Sequence, residues 1–178
     1  MAAAEALKTR SSVVRSPITS RWVFLSTRAA IAAVASLYFA RQLRLPEAYW
    51  APMSTLIVLQ SEVGSVFQIS LKQVVGTALG CAAAMALEPY FGPNVLVYGA
   101  AVLVTGILCS VMRLDRAAYR FAATTLTIVM LIPRSTPVWV AGTHRFIEVS
   151  VGIAMGLLVA KVWPEKVVPA GRESQSLR

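Results

Sequence analysis

The stretch YWAPMSTLIVLQSEVGSVFQISLKQVVGTALG, residues 49–80, decides the fold. An aromatic pair, Tyr49 and Trp50, opens a short apolar segment that carries Pro52 near its start. A soft turn follows at 61–65, and a second apolar segment then carries Lys72, Gly76, Thr77 and Gly80. The order is interface anchor, short span, turn, charged entry, small-residue packing face. Parts of it recur further along the chain. Tyr119, Thr125 and Leu126 stand 70 residues after Tyr49, Thr55 and Leu56, and Gly152 and Gly156 stand 76 residues after Gly76 and Gly80. The chain therefore reads as two related halves.

Composition places those halves in a bilayer. Of 178 residues, 57% are hydrophobic and 14% charged, which leaves a soluble domain of this length short of polar surface. Apolar runs approaching 20 residues recur, and each fits a hydrocarbon layer of about 30 Å crossed at about 1.5 Å per residue. The expectation is an all-α, polytopic membrane protein. A net charge of +9 raises nucleic acid as a partner, but no basic patch interleaved with aromatics is present. Cys81 and Cys109 fall inside apolar runs, without metal-type spacing to each other or to His144, and read as small buried residues. No metal or cofactor is expected.

Six spans follow in order: about 22–40, 49–60, 69–87, 94–112, 121–132 and 143–163. A polar tail, 1–21, precedes the 22–164 membrane domain, with repeats at about 22–88 and 94–164, and a second tail covers 165–178. Residues 1–21 lack the pattern of a cleaved signal peptide. A transit peptide is the rival to a retained tail. The second and fifth spans are short for a full crossing, and residues 113–120 read as a charged loop. With the amino terminus inside, twelve Lys and Arg side chains face the cytoplasm. Only Arg41, Arg44, Arg134 and Arg145 face out, and Arg28 lies within the first span. That bias puts both termini in the cytoplasm.

Three spans per half is an odd number, so the second half enters the membrane upside down. Inverted repeats with short or interrupted spans at matching positions are the sequence pattern of secondary transporters, whose sites lie near the midplane. Lys72, Gly76 and Gly80 share one helical face, as do Arg145, Glu148, Gly152 and Gly156. The glycine pairs are expected to pack helices, and to do so between subunits of a homo-oligomer. Intramembrane charges tend to face a partner or a water-filled cavity. Arg28, Thr55, Lys72, Thr124, Thr125, Arg145 and Glu148 are therefore the candidate pathway residues. Structural roles compete at each: Lys72 and Arg28 can snorkel to headgroups, Glu148 can pair with Arg145 one turn away, and the hydroxyls can bond to their own helix. Tyr49, Trp50 and Trp139 read as interfacial belt residues. No nucleophile–base pair or phosphate-binding loop occurs, and an enzyme is not expected.

The first-span Arg28 in TRAAIAA, the run YWAPMSTLIVLQ, LKQVVGTALG and RFIEVSVGIAMGLLVAKVWPE come in an order and spacing that cover most of residues 22–165. In these elements the chain resembles the fusaric acid resistance and aromatic acid exporter superfamily, related to the plant aluminium-activated malate transporters. Lys72 departs from that pattern, standing where an arginine is usual. The resemblance implies a six-helix unit that exports aromatic or other organic anions across a bacterial inner membrane. A homo-oligomer is expected, and a periplasmic adaptor stays open as a partner. A non-transporting membrane subunit or scaffold within a larger assembly is the competing reading.

Overall fold

The computed structural model describes residues 17–61, 65–92, 94–133 and 135–163, with side chains from Trp22 onward. The tails at 1–16 and 164–178, the middle of the turn after Ser61 and Arg134 lie outside the described residues, with the charges that the orientation count placed there. Six helices and no strand occur among the described residues: α1 Pro17–Gln42, α2 Trp50–Leu59, α3 Val66–Phe91, α4 Val95–Val111, α5 Arg116–Leu131 and α6 Val138–Val162. The all-α expectation is met.

Local chemistry explains where these helices run past the limits read from sequence. Pro52 falls in the first turn of α2, where a backbone N–H has no helical acceptor, so the ring is accommodated. Pro89 sits in the last turns of α3, which continues to Phe91. Gly92 ends it at φ +61° and ψ −168°, a conformation nearly restricted to glycine. Asp115 stands at the N-cap of α5, so Arg116 and Arg120 are helical and the charged loop of 113–120 is shorter than expected. The extended backbone at Pro137 starts α6 at Val138.

The first helix of each half ends in the same way. Arg44 and Arg113 are the non-glycine residues with positive φ among those described, at 53° and 54°. The N–H of Leu45 reaches back to Ala40 O at 3.3 Å, and that of Leu114 to Cys109 O at 2.9 Å. Such 6→1 bonds satisfy carbonyls that a helix end otherwise orphans.

Contact register fixes direction. Ser36 meets Thr55, so α1 and α2 are antiparallel, and Gly106 and Tyr98 meet Tyr119 and Thr127, so α4 and α5 are too. By contrast α3 and α5 run parallel: a Cβ on Gly76 would collide with Ala118 O, and one on Gly80 with Ala122 O. Helices α2 and α6 also run parallel, with Gly152 on Ala51 O and Gly156 on Val58. Direction thus alternates along the chain. The amino ends of α1, α3 and α5 share one end of the bundle with the carboxyl ends of α2, α4 and α6.

These two crossings match each other in detail, though not at the spacing of the Tyr, Thr and Leu identities. Gly76 meets Ala118 and Phe121 where Gly152 meets Ala51 and Ser54. The glycines are 76 residues apart, as read, but their partners are 67 apart and not 70. The turn between Arg44 and α2 is longer than that between Arg113 and α5. This shifts the short helices by about one helical turn relative to the Tyr, Thr and Leu identities.

Apolar surface is abundant outside the bundle. Helix α1 buries one stripe, Arg28, Ala32, Ser36 and Ala40, and α4 buries Ala101, Thr105 and Cys109. The remaining faces expose Trp22, Val34 and Tyr38 on α1, and Val95, Leu96 and Leu103 on α4, each more than 60% exposed. Contiguous apolar surface of this extent marks contact with lipid or protein. By length and composition two stretches are able to cross a bilayer, Trp22–Gln42 and Val66–Phe91. Helices α2 and α4 are apolar but shorter. The ten residues of α2 rise only about 15 Å.

Candidate functional site

At the amino end of α2, helix α6 and the turn before α2 place charged side chains together. Glu148, on α6, is almost fully buried, and its Oε1 accepts the backbone N–H of Glu47 at 2.9 Å. Glu47 lies in the turn that leads into α2, and its Oε2 accepts the indole N–H of Trp50 at 2.8 Å. One turn before Glu148 on α6, the buried Arg145 lays its guanidinium over the Trp50 ring, 3.5 Å from the centroid. Spacing on α6 brings this about: residues 145, 148, 152 and 156 share a face. The two glycines draw α2 close enough for the charged pair to reach the turn before it.

A cavity of about 90 Å³ opens beside these groups, lined by residues including Glu47, Ile128, Val129, Ile132, His144, Arg145 and Glu148. That volume holds several waters, or one small polar group. Among the described residues Nε and Nη1 of Arg145 are buried without a hydrogen-bond acceptor, and no ion pair joins Arg145 to Glu148. The indole covers one face of the guanidinium and leaves N–H edges unused. Nε and Nη1 belong to different edges of the guanidinium, so each suits a single carboxylate or carbonyl oxygen and the two do not form one fork for a bidentate carboxylate. Leaving a charged donor unpaired at this depth costs several kcal/mol by order of magnitude, so the site favours an acceptor.

The remaining sequence candidates divide between the two helix pairs. Thr55 is fully buried on α2, with its Oγ1 at 2.9 Å from Ser36 Oγ, 3.0 Å from Ala51 O and 2.8 Å from Gly152 O. Its single proton serves one carbonyl at a time, so this hydroxyl joins α1, α2 and α6. Arg28 is buried on α1 and lines a cavity of about 440 Å³ with Trp22, Ser26, Gln60 and Ser61, at the opposite end of α2 from Arg145. Lys72 forms an ion pair with Asp115, joining α3 to the start of α5. Thr125 is buried against Gly80, whereas Thr124 is exposed on the outer side of α5, away from both cavities.

All four glycines pack helices, as expected, but within one chain. Gly76 and Gly80 lie against α5, and Gly152 and Gly156 against α2. Sequence reasoning missed Glu47, and also Ser36, Ser54 and Gln73, whose buried side chains lie between helices. It placed Trp50 in an interfacial belt rather than under Arg145. One signal was present: Arg44-Leu45 and Arg113-Leu114 precede the two short helices alike, which draws attention to the acids that follow, Glu47 and Asp115.

An all-helical bundle with an apolar exterior and buried charges between its helices is the architecture of a membrane-embedded protein. The family model described as fusaric acid resistance protein-like matches residues 29–159, and the chain belongs to that family. It is 28% identical over 155 residues to a Salmonella typhimurium protein named as the uncharacterized transporter YdhK, across 82% of this chain and 23% of that one. The chain thus spans about a quarter of that relative's length. No solved structure matches it.

Proposed function

We propose that the protein carries organic anions, aromatic or aliphatic carboxylates, out across a bacterial inner membrane, and that Arg145 is the residue that receives the carboxylate. The buried guanidinium carries this reading, since two of its nitrogens lack an acceptor among the described residues and the side chain lines a cavity. Six crossings as two inverted repeats, with both termini cytoplasmic, fit the alternating helix directions and the paired glycine crossings. A homo-oligomer is the working unit, and with the glycine faces filled within the chain, the apolar faces of α1 and α4 remain for assembly. The reaction is passage and not chemistry, so no catalytic residue is assigned.

Flux of benzoate into proteoliposomes tests the proposal. Wild-type protein should carry benzoate above empty vesicles, and Arg145→Gln should abolish the difference while keeping the folded yield. Equal flux in protein-free vesicles would overturn it. A second reading, a membrane subunit that needs further domains or partners such as a periplasmic adaptor, is favoured by the chain spanning about a quarter of a transporter-named relative. Under that reading the purified chain is silent and activity returns with the partner. For topology, cysteines at Ser12, Asp115 and Ser174 in a background without Cys81 and Cys109 should resist an impermeant maleimide in intact cells.

A further inference from the structure

The close glycine crossings and the Lys72–Asp115 ion pair fall within two groups of helices that do not follow the halves of the chain, although α3 and α6 also pack extensively against each other across the groups. One group is α1, α2 and α6. Glycine-to-carbonyl packing at Gly152 holds α2 on α6, and the Glu148–Glu47 hydrogen bond and the Arg145–Trp50 stack hold them at one end. Thr55 and Ser36 tie in α1. The other group is α3, α4 and α5. Gly76 and Gly80 seat α3 on α5, the Lys72–Asp115 pair joins the same helices, and Tyr98 bonds to Thr127 between α4 and α5 at 2.9 Å.

Between the groups the packing is of another kind. Val66 and Val74 of α3 pack against Val58, Val149, Ile153 and Leu157 toward one end, and Val138 and Phe146 of α6 pack against α3–α5 residues at the other. Apolar layers of this sort slide at low cost, because the dispersion attraction given up on one side is regained on the other. Among the described residues two side-chain hydrogen bonds cross the seam: Gln73 Nε2 to Ser54 Oγ at 3.1 Å and Cys81 Sγ to Gly142 O at 3.2 Å. The thiol is a weak donor. Gln73 Oε1 is buried without a partner among the described residues, and so are the two nitrogens of Arg145. Unsatisfied buried groups are uncommon and point to strain or an unformed contact. Both residues lie on this seam. The Arg145 cavity does as well, walled by Glu47 and α6 on one side and by Ile128, Val129 and Ile132 at the end of α5 on the other.

We infer that the molecule moves as two bodies, α1–α2–α6 and α3–α4–α5, and that their separation at the seam opens and closes the Arg145 cavity. Each body takes helices from both halves, so the moving parts are not the two sequence repeats. The chain crosses the seam twice, between α2 and α3 and between α5 and α6. The inference rests on the anion-transport reading only for the choice of ligand.

Distance measurements between spin labels test it in the full chain, reconstituted in vesicles and freed of Cys81 and Cys109. Labels at Leu43 and Tyr90 lie on different bodies, and labels at Leu43 and Trp139 lie on one body. The first pair should give two distances whose proportion benzoate changes, and the second a single distance with or without it. Equally narrow single distances for both pairs would overturn the two-body division. Two distances that benzoate leaves unchanged would uphold the division and count against the anion reading. As a second measurement, Met85→Cys with Gly142→Cys bridges the seam, since a Cβ at 142 lies 3.1 Å from Met85 Cγ. Oxidation should abolish benzoate flux and reduction restore it; full flux in the oxidised protein would exclude separation at that end.

Discussion

The guanidinium of Arg145 lies 3.5 Å from the centre of the Trp50 ring, so a charge from the sixth helix rests on an aromatic from the second. The stack fixes the plane of the guanidinium beside the cavity that Arg145 lines. Glu148 is only one turn away, yet no ion pair forms between it and Arg145 among the described residues. The acid is engaged elsewhere, at the N–H of Glu47.

Trp50 should therefore govern anion affinity more than turnover. A cation–π contact contributes about 0.5–2 kcal/mol depending on desolvation, which is roughly a two- to thirtyfold change in affinity. Trp50→Leu should raise the half-saturating benzoate concentration within that range, and Trp50→Tyr should retain most of the affinity. An unchanged saturation curve in Trp50→Leu would remove the indole from the site.

Glycine substitutions separate packing from propensity. Gly76→Ala and Gly152→Ala drive a methyl into a facing carbonyl, an overpacking that costs about 1–3 kcal/mol. Gly99 also lies in a helix, but a Cβ there meets nothing within 4 Å. Gly99→Ala should be neutral, or stabilise by up to about 1 kcal/mol through helix propensity. Thermal unfolding in one detergent ranks the three, and equal shifts would refute the close crossings.

Lys72 and Asp115 pair near the bundle end with side chains 33% and 60% exposed. Exposed pairs contribute at most about 1 kcal/mol and weaken with salt. Lys72→Gln should lower stability only within that range, with the difference vanishing at high ionic strength. A larger, salt-independent loss would mean that this end of α3 is buried in an assembly.

The sequence exposed faces more readily than partners. Spacing of 145, 148, 152 and 156 identifies one side of α6, because helical periodicity depends on local order alone. Which helix fills that side depends on the whole bundle, and α3 pairs with α5 across intervening chain instead of with its neighbour α2. The Tyr, Thr and Leu identities lie 70 residues apart whereas the partners of the glycines lie 67 apart, a difference of about one helical turn that keeps residues on one face. Glu47 carried no periodic signal, since it stands in a turn and gains its importance only from Glu148 reaching it.

Glu148 offers the most discriminating test. Its Oε1 accepts a backbone N–H, a role that a glutamine amide oxygen can fill without charge. Glu148→Gln should then keep the turn before α2 in place, whereas Glu148→Ala leaves the N–H of Glu47 unsatisfied and should cost about 1–3 kcal/mol more in stability. Transport separates the remaining roles. If the carboxylate only balances the charge of Arg145, removing both charges restores what either single change disturbs, since an unpaired buried charge is the main penalty. If it acts on the anion pathway, Glu148→Gln reduces benzoate flux even with Arg145 neutralised. A double-mutant cycle of Arg145→Gln and Glu148→Gln, read in stability and in flux, distinguishes the two because coupled residues depart from additivity. We expect a departure from additivity in stability, because two buried opposite charges one turn apart interact even without an ion pair, and loss of flux in all three variants. Wild-type flux in the double variant would reduce Glu148 to a structural counter-ion and withdraw Arg145 as the carboxylate receptor.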